Sequence, residues 1–288
     1  MAKYLKLFET HAEYEEARQN LILPNVSYCK DNNEINYIPY TPHTPNNIIT
    51  YTASEKLVET TSDKSNGLHT NKFSGATGAL TITNHVFENG VGTVTFDDDV
   101  TSIGTYAFYT CSNLTGVDIP NTVTSIGESA FQGCVNLTSV TIPDSVTSIN
   151  TSTFASCSGL TSVTIGNGVT SIGTSAFRGC SGLTSVVIPN SVTSIGNSAF
   201  TDCKSLTSVT IGSGVTSIGN GAFSTGANLL DNITCLATTA PNIQYNTFYV
   251  KSGGTLYVPI GSTGYNNRWQ SNTPQYLLGY WGWTLVEQ

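Results

Sequence analysis

Five cysteines recur at one spacing, Cys111, Cys134, Cys157, Cys180 and Cys203, each 23 residues after the last. Zinc wants four ligands converging tetrahedrally, usually paired Cys or His at short spacing, and the chain contains no CxxC. One thiol per repeat, in a single column, fits buried reduced side chains; bridges between adjacent repeats are the alternative, since stacked neighbours lie within bridging distance. Seven cysteines in all leave at least one unpaired. The four histidines, His11, His43, His69 and His85, stand outside the repeats and form no metal or nucleophile motif, so exposed or structural roles are expected. Asp97, Asp98 and Asp99 offer carboxylate oxygens to calcium, but no Gly-spaced calcium loop surrounds them and a solvated edge is expected. The remaining acids, such as Asp118, Glu128, Asp144 and Asp202, are isolated. No catalysis, metal or cofactor is expected.

Two groups suit recognition better than catalysis. Ser139 and Thr141, Ser162 and Thr164, and Ser208 and Thr210 repeat as a flat hydroxyl array of the sort ice-binding solenoids use, which cross-strand Thr packing explains equally well. Tyr265, Trp269, Tyr276, Tyr280, Trp281 and Trp283 crowd the C-terminal region. Exposed, they would stack on sugar rings; buried, they would plug the end of the fold.

These side chains are positioned by a repeat. Phe108, Phe131, Phe154, Phe177, Phe200 and Phe223 form one column, three residues before each Cys, and Gly226 breaks the Cys column. Leu114, Leu137, Leu160, Leu183, Leu206 and Leu229 follow, then columns of Val and Ile. The unit reads AFxxCxxLTSVTIPxSVTSIGxS and extends upstream in weaker form through Val91, Val94, Phe96, Val100 and Ile103. In LTSVTI the Val and Ile share one strand face, and Pro or Gly ends the strand. SVTSI is a second short extended segment, and SAF is a tight or 3-10 turn that buries its Phe. One such coil cannot cover its own apolar side chains, so the coils must stack, with LTSVTI pairing in parallel about 4.8 Å apart.

Composition agrees. Only 10% of the 288 residues are charged, and Thr, Ser, Asn and Gly must wet the surface. A charge repeated every 23 residues would sit about 5 Å from its own copy, so repetition itself selects neutral side chains. Residues 91–226 hold only Arg178 and Lys204 as bases, and the net charge is −8, which argues against a nucleic-acid partner. The start, MAKYLKLFETHAEYEEARQ, lacks the apolar core and cleavage site of a secretory signal, and no stretch approaches the roughly 20 apolar residues of a membrane span.

The repeat resembles the BspA-type leucine-rich repeats, a 23-residue class of surface proteins from host-associated bacteria, over roughly residues 80 to 235. The resemblance implies a right-handed leucine-rich-repeat solenoid with a parallel sheet on one face, of α/β type though mostly β, an adhesive or ligand-binding role, no catalytic residues, and a cell-surface or extracellular location. The near identity of the repeats departs from the family and leaves few positions diversified for one ligand.

Three parts are expected. Residues 1–75 form an α+β module, with a capping box at Thr10 and Glu13 opening a helix through EYEEARQN, a hairpin of NVSYC and EINYI, and a stiff connector from Tyr37 to Asn47. Its first half is similar to a module of gut-bacterial surface proteins and phage tail-like proteins. Residues 76–235 form the six- to seven-coil solenoid, and residues 236–288 an aromatic-rich, β-rich cap, whose LYVPIGSTGYNNRW resembles the closing segment of such repeat proteins. The function expected is a non-enzymatic binding, adhesion or scaffolding protein that presents a rigid surface to a protein or glycan partner. Specificity would lie in the variable pairs before each Cys, Tyr109 and Thr110, Gln132 and Gly133, Arg178 and Gly179, and Thr201 and Asp202. A carbohydrate-binding protein using Trp269, Trp281 and Trp283, or a phage tail component, is the alternative.

Overall fold

The computed structural model describes residues 6–8, 27–31, 34–38, 47–60, 68–75, 78–225, 230–244, 246–248, 253–265, 269 and 283–288. The chain divides into two compact units, Met1–Asn46 and Asn47–Gln288. In the first, β1 (Lys6–Phe8) pairs in parallel with β2 (Ser27–Asp31), and β2 pairs antiparallel with β3 (Glu34–Ile38). The β2–β3 ladder, Ser27↔Ile38 to Asp31↔Glu34, is the hairpin read from the sequence. The helix through EYEEARQN and most of the Pro-rich connector lie outside the described residues.

The second unit opens with β4 (Ile48–Ala53), β5 (Glu59–Thr60), β6 (Leu68–His69), a 3-10 turn at Thr70–Lys72, β7 (Phe73–Gly75), β8 (Gly78–Ala79), β9 (Ile82–Glu88) and β10 (Val91–Phe96). Coils begin at β11 (Ser102–Ile103) and β12 (Leu114–Asp118), and β13 (Ser125–Ile126) and β14 (Ser139–Ile142) follow one repeat later. The expected upstream coil is absent in part: β10, carrying Val91, Val94 and Phe96, pairs antiparallel with β4 and β9 in a four-stranded sheet that ends on β12. Its alternating Val and Phe suit either pairing sense, and β4 supplies a partner that the repeat did not announce.

From there the chain is a β-solenoid of about six turns. Its longest ladder belongs to the shorter segment: the two-residue Ser–Ile strands pair in parallel in a nine-stranded sheet, Ser102↔Ser125, then Ser171↔Ser194 and Ser194↔Ser217, on to Asn242. The SVTI strands form separate parallel groups, Ser139–Ile142 with Ser162–Ile165, and a five-stranded sheet from Ser185–Ile188 to Thr284–Glu287. Parallel stacking therefore runs past residue 235, through Ser208↔Asn232, Asn232↔Thr255 and Thr255↔Thr284, the first of these steps one residue longer than the repeat. That one-residue insertion also corrects the Leu column: Leu230, fully buried, takes the place after Leu206 that an uninterrupted period gives to Leu229.

Regular helix is nearly absent among the described residues, which corrects the α/β label, and no helix is long and apolar enough to cross a membrane. The SAF step shows why. Ala130 N–H donates to Gly127 O, Gln132 to Ser129 and Cys134 to Phe131, successive i→i+3 turns, but Ser129 and Gly133 hold φ of 54° and 77°. A left-handed residue at each end of the turn stops it from propagating as a helix.

The core is a spine of rings. Phe108, Phe131, Phe154, Phe177, Phe200, Phe223 and Phe248 stack with centroids 5.0–5.4 Å apart and planes within 2–8° of parallel. Phe73 meets Phe108 edge-on at 5.7 Å, and Trp269 meets Phe248 at 50° and 4.9 Å, so a turned ring closes each end. Around the spine, Leu114, Leu137, Leu160, Leu183 and Leu206 are fully buried. Phe154→Ala, at mid-stack, is expected to lose about 3–5 kcal/mol in urea unfolding, because rings on both sides lose a face. A loss below about 1 kcal/mol would show that the column does not carry the core.

Candidate functional site

The cysteine column lies inside the solenoid. Cys111, Cys134, Cys157, Cys180, Cys203 and Cys235 are buried thiols outside any disulfide. Each sulfur from Cys134 to Cys203 donates back to the Phe carbonyl of the preceding coil: Cys134 to Phe108 O at 3.0 Å, Cys157 to Phe131 at 3.1 Å, Cys180 to Phe154 at 3.2 Å and Cys203 to Phe177 at 3.3 Å. Cys235 belongs to the Ile column opposite Ile211, 3.1 Å from the Tyr265 hydroxyl, which donates to Ala237 O at 2.7 Å. Burial pushes the thiols of Cys157, Cys180 and Cys203 well above their ordinary value of 9.0. Protonated sulfur in an apolar column is a poor nucleophile and a poor metal ligand.

The aromatic cluster divides. Trp269 is fully buried against Phe248 and Tyr265, with its Nε1 donating to Pro241 O at 3.1 Å, and Trp283 is 5% exposed with its ring lying over Gly254, where a Cβ would meet it at 2.4 Å. Neither ring presents a face to a sugar, which corrects their reading as ligand contacts: closing the spine takes the apolar surface that a glycan would need. Trp281, Tyr276 and Tyr280 lie outside the described residues.

The variable edge is on the surface but less free than its sequence suggests. Thr110, Gly133, Ser156, Gly179 and Asp202 hold φ of 54°, 77°, 61°, 75° and 61°, so the second member of each pair is selected by a left-handed backbone. The first member is the open choice. Tyr109 and Gln132 are half-buried, Tyr109 packing edge-on against Tyr106 at 5.2 Å, and Arg178 is exposed. Arg178 Nε stands 3.9 Å from Asp202 Oδ2, a solvent-screened pair of small energetic weight.

The outer sheet face keeps its hydroxyls in register, Ser139↔Ser162, Thr141↔Thr164 and Ser185↔Ser208, with Val187 replacing Thr in that column and 63% exposed. Other Thr hydroxyls are committed to the stack. Thr138 Oγ1 donates to Thr115 O at 3.1 Å and Thr161 to Thr138 O at 3.0 Å, and on the second segment Thr170 donates to Thr147 O at 3.0 Å and Thr193 to Thr170 O at 3.1 Å.

One cluster carried no sequence signal. His85 Nδ1 lies 2.6 Å from Glu59 Oε1, and its Nε2 lies 2.8 Å from the Tyr51 hydroxyl, which accepts from Leu57 N–H at 3.1 Å. A carboxylate only accepts, so Nδ1 carries the proton and Tyr51 donates to Nε2, which satisfies every group. Lys56 Nζ donates to His85 O at 2.9 Å. Tyr51 is 1% exposed and lies across Gly92, whose missing Cβ makes room for the ring. No substrate reaches that phenol; the cluster ties residues 56–59 to the sheet. His69 is also buried, whereas His11 and His43 lie outside the described residues. Asp97 Oδ1 accepts from Thr81 N–H at 2.9 Å, and no group of three His, Cys, Asp or Glu gathers to hold a metal among the described residues.

Two measurements check these assignments. Tyr51→Phe strands the Leu57 N–H and is expected to lose about 1–3 kcal/mol of stability in urea. The raised thiol values mean that the unfolded chain ionises first, so their contribution is complete below pH 9 and is lost as pH rises beyond it. The urea midpoint should therefore fall between pH 8 and about 10.5, and less steeply in a Cys157→Ala, Cys180→Ala, Cys203→Ala variant; equal slopes would contradict the burial.

Residues 80–183 and 170–273 match the BspA type leucine rich repeat region, in six copies. A leucine rich repeat protein of T. pallidum is 31% identical in sequence, with a TM-score of 0.50 over 54% of this chain and 73% of its own. The pneumococcal vaccine antigen PcpA shares the fold at 17% identity, with a TM-score of 0.53 over 76% of this chain and 49% of its own. No curated protein matches the chain. With stacked Phe, Cys and Leu columns and a family match over most of its length, the chain belongs to the BspA-type leucine-rich repeat proteins, a family that is typically non-catalytic.

Proposed function

We propose that the chain is a non-enzymatic binding protein whose solenoid presents a rigid surface for protein or cell-surface recognition. The observation that carries this reading is the in-register outer face. Ser139 and Thr141 sit opposite Ser162 and Thr164, short side chains on strands held from behind by the buried Val140, Ile142 and Ile165. Little side-chain entropy is lost when such a face is covered, and many weak contacts sum over its area. Membership of the leucine rich repeat family, which implies ligand binding in general, supports the same reading. The edge residues Tyr109, Gln132, Arg178 and Asp202 add the chemical variety that the hydroxyl face lacks.

The test uses the whole chain, labelled and applied to an array of purified extracellular-matrix proteins and glycans. Binding to at least one protein is expected, reduced about tenfold or more by Thr141→Arg with Thr164→Arg, or by alanine at the four edge positions, with the circular dichroism unchanged. Binding that survives both sets of replacements, or that is confined to glycans, would contradict the reading.

A further inference from the structure

The parallel stack has a seam. Thr138 N–H donates to Thr115 O at 3.0 Å, so β12 and β14 start side by side, but no ladder joins them beyond that bond. On its other edge β12 pairs along its length with β4, Leu114↔Ala53 and then, after a register shift, Gly116↔Thr52, Val117↔Tyr51 and Asp118↔Thr50. β14 turns the other way and pairs along its length with Ser162–Ile165. The antiparallel sheet and the parallel coils thus part here, and a groove of about 410 Å³ opens between them.

Its chemistry differs from the rest of the outer face. Gly116 occupies the position that Ser139 and Ser162 hold in later coils, and the Thr52 side chain across the ladder takes the space a Cβ there would need, its Oγ1 standing 2.7 Å from that point. Asp118 stands in the Thr141 column and is exposed, an acid where later coils place a neutral side chain. Val91, 44% exposed, lines one wall, Thr50, the ladder partner of Asp118, and Thr141 line it too, and no basic residue does so among the described residues. The block from residue 91 to 226 carries seven acids against Arg178 and Lys204, neither of which lines it. Two strand edges, those of β12 and β14, face the opening without a ladder between them.

We infer that this groove binds a short extended peptide segment carrying lysine or arginine, its main chain bonding to the strand edges and its aliphatic stem lying on Val91 with the cationic head at Asp118. The inference rests on the reading of the chain as a binding protein and names one site and one ligand class for it.

Fluorescence anisotropy with the full chain tests it, using two labelled, acetylated and amidated pentapeptides, Thr-Lys-Val-Lys-Thr and Thr-Glu-Val-Glu-Thr. The lysine peptide is expected to bind, weakening with salt, and the glutamate peptide to bind at least tenfold more weakly. Asp118→Asn should weaken the lysine peptide by about fivefold, whereas Asp144→Asn, an acid outside the groove, should leave it unchanged. Equal binding of the two peptides, equal effects of the two substitutions, or no binding of the lysine peptide would overturn the inference. Any of these, with array binding still lost through the edge or Thr141 and Thr164 replacements, removes this site and leaves the binding role standing.

Discussion

Each side chain of the solenoid meets its own copy in the next coil about 5 Å away, and everything else in the molecule follows from what tolerates that meeting. Benzyl rings tolerate it best: seven Phe rings stack within 2–8° of parallel from Phe108 to Phe248, burying both faces of every ring between them. Parallel stacking also needs terminators, because the last ring would otherwise face water. Phe73 at one end and Trp269 at the other turn out of the plane and close the spine. The presence of Trp269 in the aromatic-rich C-terminal part is a consequence of that need.

The same constraint shapes the surface. Like charges cannot repeat at this spacing, so acids are diluted by neutral neighbours. Asp144 occurs once in a column otherwise made of Asn121, Asn167, Asn190 and Ser213, and its Oδ1 accepts from Asn167 N–H just as Asn190 Oδ1 accepts from Ser213 N–H. Thr serves twice, wetting the surface and donating to the carbonyl of the preceding coil. The low charge of the chain is therefore a property of stacking, and only departures from column identity carry information about a ligand. Asp118, at the first coil, is one such departure.

Much of this was legible in the sequence because identity at a fixed period is a three-dimensional signal: the Phe, Cys, Leu, Val and Ile columns could be read as buried ladders before any coordinates. What escaped has physical reasons. Val91, Val94 and Phe96 alternate as a strand must, but alternation does not say whether the partner is parallel or antiparallel, and β4 lies over forty residues away. The left-handed φ at Thr110 and Asp202 is invisible when the residue is not Gly, so those positions read as free choices. The Glu59–His85–Tyr51 cluster joins three segments with no motif. The one-residue stretch before Leu230 hid behind two adjacent leucines. Trp269 and Trp283 showed only their type, and burial was decided by the open end of the ring stack for the one and by the space over Gly254 for the other.

Each coil is a unit held by its two neighbours. Removing one whole repeat, residues 150–172, tests it directly, compared with removing residues 150–161 alone. The 23-residue deletion should keep the β circular-dichroism spectrum and a single cooperative urea transition with a smaller slope, because Phe131 then stacks on Phe177 in register. The half-coil deletion should lose the cooperative transition. Loss of cooperativity in both, or its retention in both, would contradict the account.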